Sequence, residues 1–324
     1  MVNVVKLWTL VAAMAASTAT FAQDAYPSRP IKLIVSFTPG GGADLTARTL
    51  ALKMGEQMKQ PVVVENRPGA NGLVGAGAVA QSAPDGYTIL LTDRGALEVN
   101  PSLYKQMPYD PLRDFAYIGI ATVAPYVLVS NPRLPVTSLN DLLVYARSNP
   151  GKVNYASFGI ASMAHLNFEA FKARLGVDLV HVPYKGAGPA VQAVVSGDAG
   201  VTISSPAAVL GFVRDGRLHA IAIGAPHRSA LLPNVPTMDE SGVGGDLLAT
   251  TYFALAAPSA TPPTVVERLY QEMKRALSAP DVRERLTSAG LEPVGMGGQA
   301  LLGLIRQDIP RFRKLVTEIG IQPE

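Results

Sequence analysis

Short apolar runs alternate with helix-like stretches along most of this chain, and that alternation restricts it to an α/β fold with parallel strands. Ile31–Phe37 reads as a buried strand, and Gly40, Gly41 and Gly42 break it before a helix over Leu45–Met58. A second strand is expected at Pro61–Glu65, a small-residue helix at Leu73–Gln81 and a third strand at Thr88–Thr92. The pattern restarts after Pro125. Strands are expected at Tyr126–Ser130, Val153–Ser157, Leu179–Val182, Val201–Ser205 and Ala220–Gly224, with helices between them. Ser138 and Ser162 are natural N-caps for two of those helices. A strand near Thr251–Ala256 then leads into a mostly helical tail over Pro263–Ser278, Asp281–Ala289 and Gln299–Ile319.

With 324 residues the chain exceeds what one hydrophobic core usually holds, so two domains are expected. Two α/β units followed by a helical tail suggest that the chain builds one domain, crosses to a second and returns near Thr251. The expected division is 23–124 with 251–324 for the first domain and 125–250 for the second. Two crossings make a hinge, and the cleft between such domains, outside the carboxyl ends of parallel strands, is where small ligands bind.

Several function classes are disfavoured. The net charge of +3, with no cluster of Lys and Arg among aromatics, argues against a nucleic-acid partner. The absence of cysteine excludes thiolate metal sites and a cysteine nucleophile. Lys6 precedes the uncharged run Leu7–Phe21, and Thr20-Phe21-Ala22 supplies a cleavage signature. A signal peptide over 1–22 and a periplasmic mature protein are therefore expected.

The clearest local feature is Phe37-Thr38-Pro39-Gly40-Gly41-Gly42-Ala43-Asp44, where a strand ends, three glycines turn the chain and a helix begins. First-turn N–H groups attract anions, and glycine lets a ligand approach the backbone. Phe37, Gly41, Gly42, Ala43 and Asp44 are thus candidate ligand contacts; the alternative is a bare turn with Asp44 as N-cap. Neither a Walker A loop nor a dinucleotide fingerprint is present. A second loop of the same kind carries Ser157, Gly159, Ala161, Ser162 and His165, and a third carries Ser204. Ser162, His165 and Glu169 share one helix face, which admits a Ser/His hydrolase reading, although no Gly-x-Ser-x-Gly elbow occurs. His165 with Glu169 and His181 admits a metal reading, but no metal or cofactor is expected. Arg94 follows the Thr88–Thr92 strand at the cleft edge. It could hold a carboxylate through two parallel hydrogen bonds, or form a structural pair with Asp93 or Glu98.

The ordered set of segments resembles the Bug family, the periplasmic receptors of tripartite tricarboxylate transporters. It includes Tyr26 to Val35, Pro39 to Gly42 with Asp44, Pro61 to Arg67, Pro84 to Thr88 and Asn100 to Tyr104. It continues through Pro108 to Pro111, Tyr155-Ala-Ser157, His165-Leu166, His181 to Gly186, Val235-Pro-Thr237 and Ala257-Pro258. The resemblance implies a type II periplasmic-binding fold of two α/β domains joined by two crossing strands. It implies capture of a small organic anion (a mono-, di- or tricarboxylate, or an aromatic acid) and delivery to membrane permease subunits, with no chemistry on the ligand. A monomer is expected. Signalling to a membrane histidine kinase is an alternative use of the same cleft. Ser204, Tyr252 and Ala161 stand where the family pattern commonly has Asp, Trp and Gly, departures that bear on ligand identity more than on fold.

Export should remove Met1 to Ala22. The intact mass of the exported protein is expected to match a chain starting at Gln23; a mass retaining Leu7 to Phe21 would rule this out.

Overall fold

The structure, a computed structural model, describes residues 26–160, 162–244 and 250–322. The expected signal segment and Ala161 lie outside them.

Two sheets organise the chain. The first has the order β11-β4-β10-β3-β1-β2. It is formed by β1 (Ile31–Val35), β2 (Val62–Asn66), β3 (Thr88–Asp93), β4 (Phe115–Ala124), β10 (Thr251–Pro258) and β11 (Glu292–Gly297). The second, of order β7-β6-β8-β5-β9, contains β5 (Val127–Ser130), β6 (Val153–Ser157), β7 (Leu179–Pro183), β8 (Val201–Ser204) and β9 (His219–Ile223). In the first sheet β1 runs parallel to β2 and β3, while β10 runs antiparallel to β3 and β4. In the second, β6 runs parallel to β7 and β8, and β5 is antiparallel to β8 and β9.

Both faces of each sheet are covered, so the central strands are apolar throughout rather than alternating. Leu33 and Val35 enter one core beneath α1 (Gly42–Met58) and α7 (Pro263–Ser278). Ile34 enters the opposite core beneath α2 (Leu73–Ala80). In the second sheet Leu128 and Ile203 pack with α3 (Leu139–Ser148) and α4 (Met163–Leu175). Val127 and Val129 pack with α5 (Ala187–Ser196) and α6 (Pro206–Arg214). Pro280–Thr287 forms α8.

The chain leaves the first sheet at Ala124 and enters the second at Val127, and Ala124 is paired with Thr251 on the returning strand. Two strands escaped the sequence reading. Phe115–Ala124 is an almost continuous apolar run, interrupted by Gly119, without the alternation that would mark it as a strand. Glu292–Gly297 alternates exposure but contains Pro293 and two glycines. The last helix, α9 (Gly298–Glu318), serves both units. Leu301, Ile305 and Ile309 pack in a core of the first sheet, whereas Phe312 and Val316 join a core of the second. Pro310 sits at the changeover and removes one i→i−4 hydrogen bond there.

A buried ion network ties α9 to the returning strand. Arg94 Nε lies 2.9 Å from Glu98 Oε2, and Nη2 lies 3.4 Å from Asp308 Oδ2 on α9. Arg94 Nη1 donates to the Thr250 carbonyl at 3.0 Å, and Tyr252 donates its phenol to Glu98 Oε1 at 2.6 Å. Burial pushes Glu98 up to about 7 despite the opposing pull of Arg94 and Tyr252. Arg94→Ala removes a cation that faces two buried carboxylates, so it is expected to cost roughly 3 kcal/mol of stability. Ligand affinity should change less than about threefold, equivalent to ~0.7 kcal/mol. Denaturant unfolding and calorimetric titration of the variant check the two halves of this expectation.

Candidate functional site

The carboxyl ends of the parallel strands in the two sheets face each other, and two hollows that share part of their walls lie between them. The smaller, about 40 Å³, is bounded on the first-sheet side by Phe37, Thr38 and Gly41 to Ala43 of the β1–α1 loop, by Asp93 at the end of β3, and by Thr251 and Phe253 of β10. The second unit contributes Tyr126, Phe158, Ala187, Ser204 and Ser205. The larger, about 600 Å³, shares Phe37, Thr38 and Phe158 and extends past Gly69 to Gly72, Tyr104, Gly159, Ile160 and Pro183 to Gly186.

Three helices begin at the small cavity: α1 after Gly41, α5 after Gly186 and α6 after Ser205. None of these N-cap residues caps its helix with a side-chain hydrogen bond. The first-turn N–H groups of an α-helix have no intrahelical partner, and the aligned peptide dipoles leave partial positive charge there. Hydroxyl oxygens at the same place, Thr38 Oγ1 and Ser204 Oγ among them, are buried without a hydrogen-bond partner. The cavity therefore presents positive helix ends and hydroxyls with no lysine or arginine in its lining, an arrangement that suits a small anion.

The β1–α1 loop owes its shape to Asp44. Its carboxylate accepts from Arg48 Nε at 3.0 and 3.1 Å, from Asn66 Nδ2 at 3.0 Å and from the Gly40 N–H at 3.2 Å. Burial works to raise the Asp44 pKa, but these hydrogen bonds outweigh it and hold the group below the usual carboxylate range. Reaching back from the first turn, Asp44 lets α1 start at Gly42, three residues ahead of the apolar pattern. An added Cβ at Gly42 would lie 2.7 Å from the Phe253 ring and 3.0 Å from Ser205 Oγ, so only glycine admits this approach. Across the cleft, Gly186 (φ +124°) brings its backbone against Thr38, where a Cβ would meet Oγ1.

The sequence-derived candidates divide accordingly. Phe37, Gly41, Gly42, Ala43 and Ser204 line the small cavity, and Gly159 lines the larger one. Asp44 is outside both linings because its oxygens brace the loop. Arg94 is also outside: its guanidinium turns toward Glu98 and Asp308 and borders a separate groove against α9. Ser162 is fully buried and its hydroxyl accepts from the His165 N–H at 3.4 Å, which makes it a helix cap. Ala161 lies outside the described residues. The sequence reading missed Asp93, Thr251 and Phe253. Their β10 neighbours become cavity walls only through the pairing Phe253↔Asp93, which no local pattern announces.

His165 and Ser157 belong to a packed cluster behind Phe158. The His165 and His181 rings stack with centroids 4.0 Å apart, and Tyr155 stacks on His181 at 4.9 Å. Ser157 Oγ lies 2.6 Å from His181 Nε2 and 2.9 Å from the Gly159 carbonyl. This Ser–His pair differs from the one anticipated, yet Ser157 is fully buried and offers no surface to a substrate. A hydrolase nucleophile must be reachable, so neither serine has the geometry of one. Among the described residues, no group of three or more His, Cys, Asp or Glu is arranged to hold a metal ion. No helix there is long and apolar enough to cross a membrane.

Comparison with known proteins bears on the same site. Residues 46–321 match the profile of the tripartite tricarboxylate transporter family receptor. The chain is 40% identical to Protein BugT of Bordetella pertussis over 309 residues, covering 95% of this chain and 94% of BugT. It is similar in structure to the periplasmic binding protein BugD, with TM-score 0.88 and 32% identity, covering 92% of this chain and all of BugD. It is also similar to MatC of Rhodopseudomonas palustris with bound malate, with TM-score 0.84 and 31% identity over 90% of this chain and all of MatC.

The histidine stack sets a pH expectation. Burial, and after it the neighbouring His165, lowers His181 from 6.5 to about 4. The folded state therefore prefers neutral His181. Its contribution to stability is complete above pH 6.5 and is lost progressively as the pH falls toward 4. His181→Gln cannot titrate. Its unfolding midpoint should fall less than that of the wild type between about pH 7 and about pH 4.5. Parallel curves would show that His181 does not titrate differently on folding.

Proposed function

Because this chain belongs to the tripartite tricarboxylate transporter family of receptors, we propose that it captures a small organic carboxylate between two lobes in the periplasm and releases it to membrane permease subunits. In this reading the lobes are 23–124 with 251–324, and 125–250, and the protein acts as a monomer with no covalent step. The observation that carries it is the convergence of three helix N-termini, uncapped by their own N-cap side chains, on one cavity with the unpartnered hydroxyls of Thr38 and Ser204. Carboxylate oxygens would accept from first-turn N–H groups and from those hydroxyls. The binding residues proposed are Phe37, Thr38, Gly41, Gly42, Ala43, Ala187, Ser204 and Ser205, with Gly159 beside the emerging tail. The malate in the similar MatC structure supports the ligand class.

The lobes touch where Gly186 meets Thr38, so entry of a ligand requires them to part and close again. Binding should then be a hinge motion about the paired crossings at Ala124 and Thr251.

A thermal-shift screen of mono-, di- and tricarboxylates tests the reading. At 100 times its dissociation constant, a true ligand adds about 2.7 kcal/mol to the native state. Gly41 faces Ala187 across the cleft, with 3.9 Å between an added Cβ and the Ala187 Cβ. Gly41→Val should thus keep the fold, fill the cavity mouth and weaken the best ligand by about tenfold or more, ~1.4 kcal/mol. Wild-type affinity in this variant would move the carboxylate site elsewhere.

A further inference from the structure

Asp93 and Arg94 are consecutive, but they diverge where β3 ends. Arg94 takes a helical conformation and turns its guanidinium into the ion network with Glu98 and Asp308. Asp93 stays in the strand, opposite Phe253 of β10, and its side chain lines the small cavity. It is 8% exposed. One oxygen, Oδ1, accepts from the Ala96 N–H at 3.2 Å, and no side-chain donor among the described residues is hydrogen-bonded to the carboxylate. The cavity it lines is walled by the rings of Phe37, Phe158 and Phe253, the phenol of Tyr126 and the hydroxyl residues Thr38, Ser204, Ser205 and Thr251. A buried carboxylate in such surroundings is unfavourable unless a donor reaches it.

We infer that Asp93 is a specificity-determining residue that accepts a hydrogen bond from an amino or hydroxyl group carried by the ligand close to its carboxylate. The inference rests on the reading of this cavity as a carboxylate site. The cavity, about 40 Å³, has room for only a few non-hydrogen atoms. The donor therefore sits on the carbon next to the carboxylate, and the remainder of the ligand extends past Phe37 and Phe158 into the larger hollow. The preferred head group is a 2-amino or 2-hydroxy acid. A second carboxylate at that position meets like charge and is disfavoured.

Charge makes the amino group sensitive to pH. Burial pushes Asp93 up to about 6, against the Ala96 and Gly95 N–H groups and Arg94, which pull it down. The groups around it are Arg94, Glu98 one turn on, which titrates near 7, and the buried phenols of Tyr126 and Tyr109, which burial keeps neutral. No histidine lines the cavity. Above about pH 6 an ionised Asp93 pairs with a ligand ammonium; below it, that preference fades.

The test is calorimetric titration with two matched sets: propionate, lactate and alanine, and hexanoate with its 2-hydroxy and 2-amino derivatives. At about pH 7.5 the wild type should bind the amino and hydroxy acids about tenfold or more tighter than the unsubstituted acid, ~1.4 kcal/mol. In Asp93→Asn, which keeps an oxygen for the Ala96 N–H, the amino preference should fall about tenfold, whereas the unsubstituted acid, relieved of the like charge, should bind no more weakly than to the wild type. An unchanged preference in Asp93→Asn overturns the inference, as does equal wild-type binding of all three acids in a set. Should Asp93→Asn fail to fold, the wild type alone decides: the amino preference must shrink between about pH 7.5 and about pH 5.5, and a constant preference overturns the inference. Failure of every acid to bind the wild type would instead remove the carboxylate reading itself.

Discussion

The antiparallel pairing of β4 with β10 is the constraint on which the rest of the molecule depends. It runs from Phe115↔Pro258 to Ala124↔Thr251 and joins the outgoing chain to the returning one. Each crossing leaves the same sheet at the same end, so two adjacent strands join the second unit to the first, and α9 packs against cores of both. The same pairing places β10 beside β3, and so builds Phe253 and Thr251 into the cavity wall next to Asp93. The ion network of Arg94, Glu98, Asp308 and Tyr252 sits just behind this junction and fastens α9 to it.

In the proposed reading, anion recognition does not rely on a buried cation. The positive potential at the cavity comes from helix ends fixed by the sheets, so it needs no ordering of long side chains when a ligand arrives. The charged side chains near the cleft are used to hold the frame instead. Asp44 braces the glycine loop through Arg48 and Asn66, and Arg94 neutralises Glu98 and Asp308. That division of labour leaves Asp93 as the one acidic side chain in the cavity lining. A negative group beside positive helix ends makes the cavity bipolar, which is a stronger filter on ligand chemistry than a uniformly positive pocket.

The aromatic and histidine cluster of Tyr155, His165, Phe168 and His181 performs a supporting task. Its rings stack at 4.0 to 4.9 Å behind the loop that carries Phe158 and Gly159. Ser157 ties that loop to His181, and Ser162 ties it to α4. The Ser157 and Ser162 hydroxyls are therefore spent on keeping the loop in place.

Much of the architecture was legible in the chain itself. Apolar runs such as Leu33 to Val35 and Val127 to Val129, punctuated by glycine and proline, determined the α/β class and most strand positions. The N-caps Ser138 and Ser162 were read correctly because capping is a local hydrogen bond. The glycine loop announced a helix N-terminus for the same reason. What tertiary structure alone decided is which groups meet. The strand Phe115–Ala124 took its place from long-range pairing with β10, and α9 was divided between two cores by where they lay on either side of Pro310. Most of all, sequence placed Asp93 and Arg94 together at a cleft edge but could not say which of them looks inward. The strand ends between them, and the next residue turns into a helical conformation, so one backbone rotation sends the base into the frame and the acid into the cavity.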